Sequence, residues 1–509
     1  MPLRPPSAAS PLAAIDIGSN SFRLEIAQMQ QGRYKRIAYL KETVRLGAGL
    51  DEQGCLSEAA ARRGLDCLQR FAQRLQGFEP AQVRAVATQT LREARNRNAF
   101  LLRAQAALGH AIEVVSGREE ARLIFAGVSF LQPGELPRLV IDIGGRSTEM
   151  IVGQGRVPRV VESFRTGSVS LSMRWFPDGV FTAQRFRDAQ VAAGAELEEA
   201  LEPFAPSHWQ EALGSSGTAG ALSQILAAAG ISDGTITPDG LRWCMAQCLA
   251  AGSADQLVLP SLRDDRKPII GGGLALLITL TTQFGIAELR PAKGALRQGV
   301  IIDLHERHAA RHQAHGSDLR DHTVGALQAR FGVDAAHAAR VRAVALRLLK
   351  TSLPALLDGD ADDDSEALRE LGWACDLHEM GQMVSHHDHH RHSAYLLAHV
   401  DAPGFSHSQQ RRIADLVLGQ RGGLRKIETQ MAQERFAWQV LALRLAVIKC
   451  HARGAVEPAA LRLKRDGKQA RLGFRGAWAD SHPRTLHLLR EEVDAWARQD
   501  GLRLVLAPG

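Results

Sequence analysis

The chain has 509 residues, too many for one hydrophobic core, so three or four domains are expected. Apolar residues make up 45% and charged residues 23%, a globular balance that excludes extensive disorder, and no window approaches about 18 uninterrupted apolar residues, which argues against a membrane-spanning helix. The six cysteines form no C-x-x-C pair and are too few for a disulfide framework, which makes the cytoplasm the default, and the net charge of +7 turns attention to anionic partners.

The opening, Met1–Pro11, holds four prolines and no apolar stretch, so it does not read as a secretory signal. From Ala14 the sequence runs AIDIGSNSFRLEIAQ to Gln28, and at an offset of 126 residues Val140 begins VIDIGGRSTEMIVGQ, ending at Gln154. Both are an apolar run, Asp, Ile, Gly, a small-residue turn, Ser, and a second apolar run. Each predicts a β-hairpin with a tight polar turn. Glycine and serine let backbone N–H groups approach an anion, and a concave set of them cradles phosphate. The carboxylates that end the incoming strands, Asp16 and Asp142, are placed to hold a hydrated Mg²⁺. No G-x-x-x-x-G-K-[ST] P-loop is present. Two matched hairpins imply two related domains whose turns face each other.

Between the hairpins, Ser116 with Glu119 predicts a capping box at the start of a helix, which gives Glu119 a structural task. Glu120 lies in the same first turn. The residues alone leave it as either a carboxylate favouring the helix dipole or a functional group. Glu149 interrupts the apolar strand after the second turn and points into a cleft or out to solvent. Its counterpart in the first hairpin is Arg23, which suggests one functional loop of each sign. Further on, Cys244 and Cys248 sit one helical turn apart as packing residues, and Ile269–Leu280 predicts a buried turn and helix.

After residue 310 the sequence predicts helices over Leu319–Phe331, Ala335–Leu349, Ser365–Gly372 and Trp373–His386. Six of the 19 histidines lie between His378 and His392, which invites a metal reading, although His-rich tracts are weak motifs. From about Val456 short alternating runs, a helix over Pro483–Arg498 and a strand over Leu502–Leu506 predict a small α+β domain. Residues 402–509 carry 19 Lys/Arg against 10 Asp/Glu, a surface suited to polyanions or to plain solvation. Without aromatic interleaving or a nucleic-acid motif, nucleic acid is not the expected partner.

The paired hairpins resemble the phosphate loops of the actin, sugar-kinase and heat-shock chaperone superfamily. The wording is closest to the exopolyphosphatase and guanosine pentaphosphate phosphohydrolase family, and the resemblance runs through ETVRLG from Glu42, ATQTLREA from Ala87, SGREEARLIF from Ser116, GSSGT from Gly214 and GALRQGV from Gly294. RHSAYL from Arg391 extends it to the long bacterial exopolyphosphatases. The fold this implies is α/β: two ribonuclease H-like actin domains over 12–125 and 126–309, a helical HD-like domain over 310–450, and a small α+β domain over 451–509. The HD-like fold brings His and Asp together across helices in its metal-binding members. Here the pair reads His378-Glu379, so a structural or polyanion-guiding role is expected ahead of a second active site.

The resemblance also assigns roles. Glu120 matches the catalytic base that orients and deprotonates water, and Glu149 the carboxylate acting on water and metal. Asp142 and Glu149 are then expected on Mg²⁺, with Asp16 as a further metal-side group and a monovalent cation such as K⁺ as an optional second ion. Gly18, Ser19, Asn20 and Ser21 on one side, and Gly144, Gly145, Ser147 and Thr148 on the other, are expected to hold phosphate. Arg45, Arg92 and Arg266 match family arginines near the cleft, and Ser216, Gly217 and Thr218 form a further phosphate loop. Arg146 stands where the family has a third glycine. It is expected either to reach the phosphate or to narrow the site, and a positive φ there would strain it.

The leading function implied is exopolyphosphatase, releasing terminal orthophosphate from inorganic polyphosphate, and the alternative is hydrolysis of guanosine pentaphosphate. The basic tail favours polyphosphate. A sugar kinase using the glycines of Ile269–Gly273, and a polyphosphate-binding protein without turnover, are the other readings. A homodimer is implied by the resemblance alone, and the basic tail leaves peripheral contact with the inner membrane face open.

Overall fold

The computed structural model describes residues 10–312, 318–352, 361–476, 478–499 and 501–507, so Met1 to Ala9 of the Pro-rich opening lie outside the described residues. The chain forms two units, Met1–Gly316 and Ser317–Gly509.

In the first unit each hairpin seeds a five-stranded sheet. Strands β1 (Leu12–Ile17), β2 (Ser21–Gln30) and β3 (Arg33–Thr43) form an antiparallel meander, and β4 (Val83–Ala87) and β5 (Ile112–Val114) extend it in parallel, in the order β3-β2-β1-β4-β5. The second sheet repeats this plan with β6 (Arg138–Ile143), β7 (Thr148–Gln154), β8 (Val157–Phe164), β9 (Glu211–Gly214) and β10 (Leu289–Pro291), in the order β8-β7-β6-β9-β10. Even the β-bulge recurs: the register shifts at Ile26/Ala27 in one meander and at Val152/Gly153 in the other. A bulge kept at the same place bends both meanders alike.

β1 is buried along its whole length, as a central strand covered on both faces must be. Ala13, Ile15 and Ile17 face a core closed by the helices Glu58–Arg74 and Arg97–Leu108. Leu12 and Ala14 face the other way, into a cluster with Val140, Ile151, Phe125 and Val300. That cluster draws on both sheets and on two helices, Gly117–Leu131 and Leu296–His312. The two helices cross at backbone contact. A β-carbon at Gly299 would lie 1.7 Å from the Leu123 carbonyl oxygen, and one at Gly294 would lie 2.3 Å from that of Gly127. These helices also run through residues 125/126 and 309/310, where the sequence suggests domain boundaries. Ile269–Leu280 lies inside one continuous helix, Lys267–Gln283. Its glycines serve close packing: a β-carbon at Gly272 would lie 2.5 Å from the Ser172 nitrogen of the helix Ser168–Trp175.

The second unit is helical up to Lys449 and ends in a three-stranded sheet, with β11 (Leu461–Asp466) antiparallel to β12 (Gln469–Phe474) and β13 (Arg503–Leu506) parallel to it. The expected helices Ser365–Gly372 and Trp373–His386 are instead one helix, Ala361–Leu377, followed by a 3-10 turn at Met380–Met383. Gly372 does not break the helix; its missing side chain admits the Arg342 guanidinium, which would meet a β-carbon there at 3.1 Å. Among the described residues no helix is long and apolar enough to cross a membrane.

Candidate active site

The two hairpin turns meet. A β-carbon at Gly145 would lie 3.2 Å from the Ser19 β-carbon, one at Gly18 would lie 3.0 Å from the Ser21 carbonyl oxygen, and one at Gly144 would lie 3.1 Å from that of Ser147. None of these three glycines has a positive φ. They are needed for close approach, not for left-handed backbone. The turns border a cleft of about 290 Å³. Ser215–Thr218 forms a third side, where the Ser216 hydroxyl accepts hydrogen bonds from the Thr218 and Ala219 N–H groups and so caps the helix Gly217–Ala228. The cleft is thus surrounded by small residues, hydroxyls and a helix N-terminus, all suited to phosphate oxygens.

Carboxylates gather at one side. Asp142 and Glu149 are register partners across β6 and β7, and Asp142 accepts a 2.5 Å hydrogen bond from the Ser215 hydroxyl. Glu149 is 1% exposed and accepts from the Ser163 hydroxyl at 2.8 Å. Glu120 enters from the first turn of the helix Gly117–Leu131, whose N-cap Ser116 accepts from the Glu119 N–H. The Glu119 carboxylate grips Arg122 through two hydrogen bonds of 2.8 Å, so it anchors the helix and leaves Glu120 to the cleft. Arg92 donates to Glu120 at 2.7 Å and holds its other terminal nitrogen 4.0 Å from Glu149.

Arg92 beside Glu120 and Glu149, and Arg23 and Arg297 beside Asp142, do not offset the effect of burial on this group. Burial pushes the Glu120 carboxyl up to about 7 in spite of Arg92. Glu149 is pushed well above the usual carboxylate range, by burial first and then by the charge of Glu120. Burial also raises Asp142. Oxygen donors whose charged form is disfavoured by burial form a set that fits a hard divalent cation.

Cations gather around Asp16, and Arg23 and Arg297 also act on Asp142. Arg23 pairs with Asp16 at 3.1 Å, and Arg297 stands 3.8 Å from Asp16. Lys41 on β3 is pushed down to about 8 by burial and then by Arg266 and Arg23. Arg266 is lowered by burial and by Arg23. Neither Lys41 nor Arg266 has an ion pair among the described residues. Crowded cations, two of them outside any ion pair, suit a polyanion.

The structure brings most of the expected residues together. Asp16, Gly18, Ser19, Asn20, Ser21, Glu120, Asp142, Gly144, Gly145, Ser147, Ser216, Gly217, Thr218 and Arg266 all line the cleft. Glu149 and Arg92 stand behind this lining, joined to Glu120. Thr148 is turned inward, its hydroxyl donating to the Thr166 carbonyl at 2.6 Å, and is structural. Arg45 does not line the cleft; it is exposed at φ 54°, and its carbonyl accepts from Arg63. Arg146, expected either to reach the phosphate or to narrow the site, is not among the residues that line the cleft. It leaves the cleft, pairs with Glu93 at 3.1 Å and donates to the Gly47 carbonyl at 3.2 Å, and it has no positive φ to strain it. Tyr39, Lys41 and Arg297 line the cleft without having been singled out, and so do Arg23, noted only as the counterpart of Glu149, and Ser215, noted only as part of GSSGT. Arg23 and Arg297 lie inside the hairpin and the GALRQGV run, so position within the motifs carried their signal. Lys41 and Tyr39 lie on a strand with no motif.

Residues 25–308 match the Ppx/GppA phosphatase family, and residues 319–493 match domain III of Ppx/GppA phosphatases. The guanosine-5'-triphosphate,3'-diphosphate pyrophosphatase of Aeromonas hydrophila subsp. hydrophila is 36% identical over 95% of this chain and 97% of its own. The Vibrio cholerae serotype O1 protein of the same name is 35% identical over 96% of this chain and 97% of its own. The crystal structure of an exopolyphosphatase from Cytophaga hutchinsonii superposes with a TM-score of 0.53 at 22% identity, covering 58% of this chain and 98% of that one, a likeness of fold. With phosphate-suited loops, a buried carboxylate cluster and crowded cations in one cleft, these matches agree that the chain belongs to the Ppx/GppA phosphatase family, hydrolases of phosphoanhydride bonds.

Proposed function

We propose that the chain hydrolyses guanosine pentaphosphate (guanosine 5′-triphosphate 3′-diphosphate) at its terminal 5′ phosphoanhydride and releases orthophosphate. The observation that carries this reading is near-full-length similarity, at 35–36% identity, to proteins of that name. The cleft supports it. A nucleotide with phosphates at both ends of its ribose presents two anionic groups, and the cleft offers phosphate loops beside the carboxylates together with Arg23, Lys41 and Arg266.

In this mechanism the turn N–H groups and hydroxyls of Gly18–Ser21 and Gly144–Ser147 hold the transferring phosphoryl group. Glu120 orients the attacking water and takes its proton, which a carboxyl with a pKa near 7 does well at neutral pH. Arg92 fixes the Glu120 carboxylate and restrains its approach to Glu149. Asp142 and Glu149, with Asp16 nearby, are the groups that would hold Mg²⁺, which when bound supplies charge stabilisation to the phosphoryl and leaving oxygens.

Polyphosphate is the second reading, favoured by the basic excess of residues 402–509. Arg412 and Arg453 spend part of that excess on carboxylates outside the segment, Glu370 and Glu379. Arg444, Arg465, Arg471 and Arg475 pair with carboxylates of the segment itself and leave the excess unchanged. The deciding experiment measures orthophosphate release from guanosine pentaphosphate and from long-chain polyphosphate in parallel, with and without Mg²⁺. Faster Mg²⁺-dependent release from the nucleotide is expected; a kcat/KM at least tenfold higher for polyphosphate would reverse the assignment.

A further inference from the structure

Outside the cleft, the helical part of the second unit holds a group with different chemistry. His337, His378 and Glu379 each offer a ligand atom, and these atoms lie within 4.8 Å of one another. His337 stands in the first turn of the helix Ala335–Ser352, and His378 and Glu379 follow the end of the helix Ala361–Leu377. All three are at most 9% exposed.

The two imidazoles are held as ligands are. His378 has its Nδ1 2.7 Å from the Cys375 carbonyl oxygen. That oxygen can only accept, so Nδ1 carries the proton and Nε2 keeps a free lone pair. A backbone acceptor on one ring nitrogen that fixes the other for coordination is the usual arrangement around bound metal. The Ser393 hydroxyl and the Gln420 side-chain amide both donate to the His378 carbonyl and fix its backbone. His337 is 4% exposed, yet its ring makes no hydrogen bond: Nδ1 is buried without a partner and Nε2 stands 3.9 Å from the Glu379 carboxylate. A buried polar ring left so is costly unless something else satisfies it.

Glu379 is the third corner, and its charge is already shared by a cation. Arg453 donates to it, and the same guanidinium reaches Asp334 at 3.3 Å. Arg453 is 43% exposed, so it can give up Glu379 and keep Asp334.

We propose that His337, His378 and Glu379 form a site for a divalent transition ion of the Zn²⁺ class, which ties the start of one helix to the end of another. Two imidazoles and one carboxylate suit Zn²⁺, Co²⁺ or Ni²⁺ and not Mg²⁺, and three protein ligands leave a position for solvent. The site is separate in composition from the all-oxygen cluster of Asp142 and Glu149.

The test titrates the full chain, stripped with chelator and desalted, with Zn²⁺ and with Co²⁺ in excess Mg²⁺, which the cleft carboxylates prefer. One saturable equivalent is expected, with Co²⁺ giving the visible absorption of a low-coordinate nitrogen-containing site. His337→Ala and Glu379→Gln should each weaken binding at least tenfold with circular dichroism unchanged. Arg453→Ala should tighten it severalfold, because the competing guanidinium is gone, and a damaged fold would not produce a gain. His386→Ala/His387→Ala, which removes two exposed histidines of the same segment, should leave it intact. Absence of a saturable equivalent, an affinity unchanged by His337→Ala and Glu379→Gln, or loss in the exposed double variant would overturn the proposal.

Discussion

The two hairpins share strand order, register and bulge, and they diverge where a strand-end aspartate meets its partner across the ladder. Asp16 faces Arg23, and Asp142 faces Glu149. The first pair cancels its own charge at 3.1 Å. The second sets carboxylate against carboxylate, adds Glu120 from a neighbouring helix, buries Glu120 and Glu149 and half-buries Asp142. Like charges opposite one another destabilise a sheet, and burial enlarges the cost. One register position of a duplicated scaffold therefore carries an opposite-charge pair in one hairpin and a like-charge pair in the other.

The most direct way to break this division is Glu120→Ala. Loss of a positioned base should cost kcat about 10³-fold, with KM for the nucleotide changed little. A kcat within tenfold of wild type would remove Glu120 from the water. The acid limb of the wild-type kcat/KM profile should belong to the same carboxyl. Below pH 7 the base becomes protonated and the rate should fall tenfold per unit, and raising Mg²⁺ should move that limb to lower pH, since a bound cation favours the carboxylate.

Glu149→Gln should lower kcat about 10²-fold and raise the melting temperature. The sign follows from burial. The folded state raises the Glu149 carboxyl well above its unfolded value, so the native state binds the proton more tightly. Its contribution to stability is fullest at low pH and is lost as pH rises, where the buried charge must form. Gln avoids that cost, so the gain should be clear at pH 8 and shrink as pH falls toward the unfolded carboxyl range near 4. Differential scanning calorimetry at several pH values checks it, and a variant less stable at pH 8 would show that Arg92 and Ser163 hold Glu149 more firmly than burial opposes it.

The sequence carried the duplicated part of this picture well. The offset repeat placed Asp16, Asp142 and both turns, because a strand–turn–strand unit is local and its pattern is written in consecutive residues. It also placed Glu120, through the helix start at Ser116. What it did not carry was reach. Lys41 enters the cleft from a strand whose pattern gives no sign of it, and Arg146 sits in the turn yet points elsewhere, since side-chain direction depends on neighbours such as Glu93 and Gly47. Element ends were lost for a related reason. Helices that link two cores, such as Gly117–Leu131, show no change of composition at a domain edge, and Gly372 reads as a breaker until Arg342 is seen packed on it. The companion of His378 and Glu379 escaped notice because it lies on an earlier helix.

Arg23→Gln tests the first hairpin. It removes a cation that borders the cleft and leaves Asp16 with Arg297 at 3.8 Å as the remaining cation. KM should rise about tenfold, the worth of one charge-assisted contact, while kcat changes less. A fall in kcat of the size expected for Glu120→Ala, at unchanged KM, would place Arg23 with the reacting groups and dissolve the contrast between the hairpins.

Arg146→Gly gives the smallest effect and sharpens the comparison most finely. In the first turn the aligned residue is Asn20, which lines the cleft, whereas Arg146 leaves it for Glu93 and the Gly47 carbonyl. Its side chain is 23% exposed, so the ion pair is partly screened and is worth about 1 kcal/mol at most. Glycine adds a backbone-entropy cost of about 0.5–1 kcal/mol. The variant should therefore lose about 1–2 kcal/mol of stability, measured by urea unfolding, and keep kcat/KM within about threefold. A tenfold rise in KM without loss of stability would return Arg146 to the substrate. A rise in kcat would mean that its tie to Glu93 and Gly47 holds the two turns closer than turnover requires, so that part of the catalytic rate is set by how tightly one hairpin is held against the other.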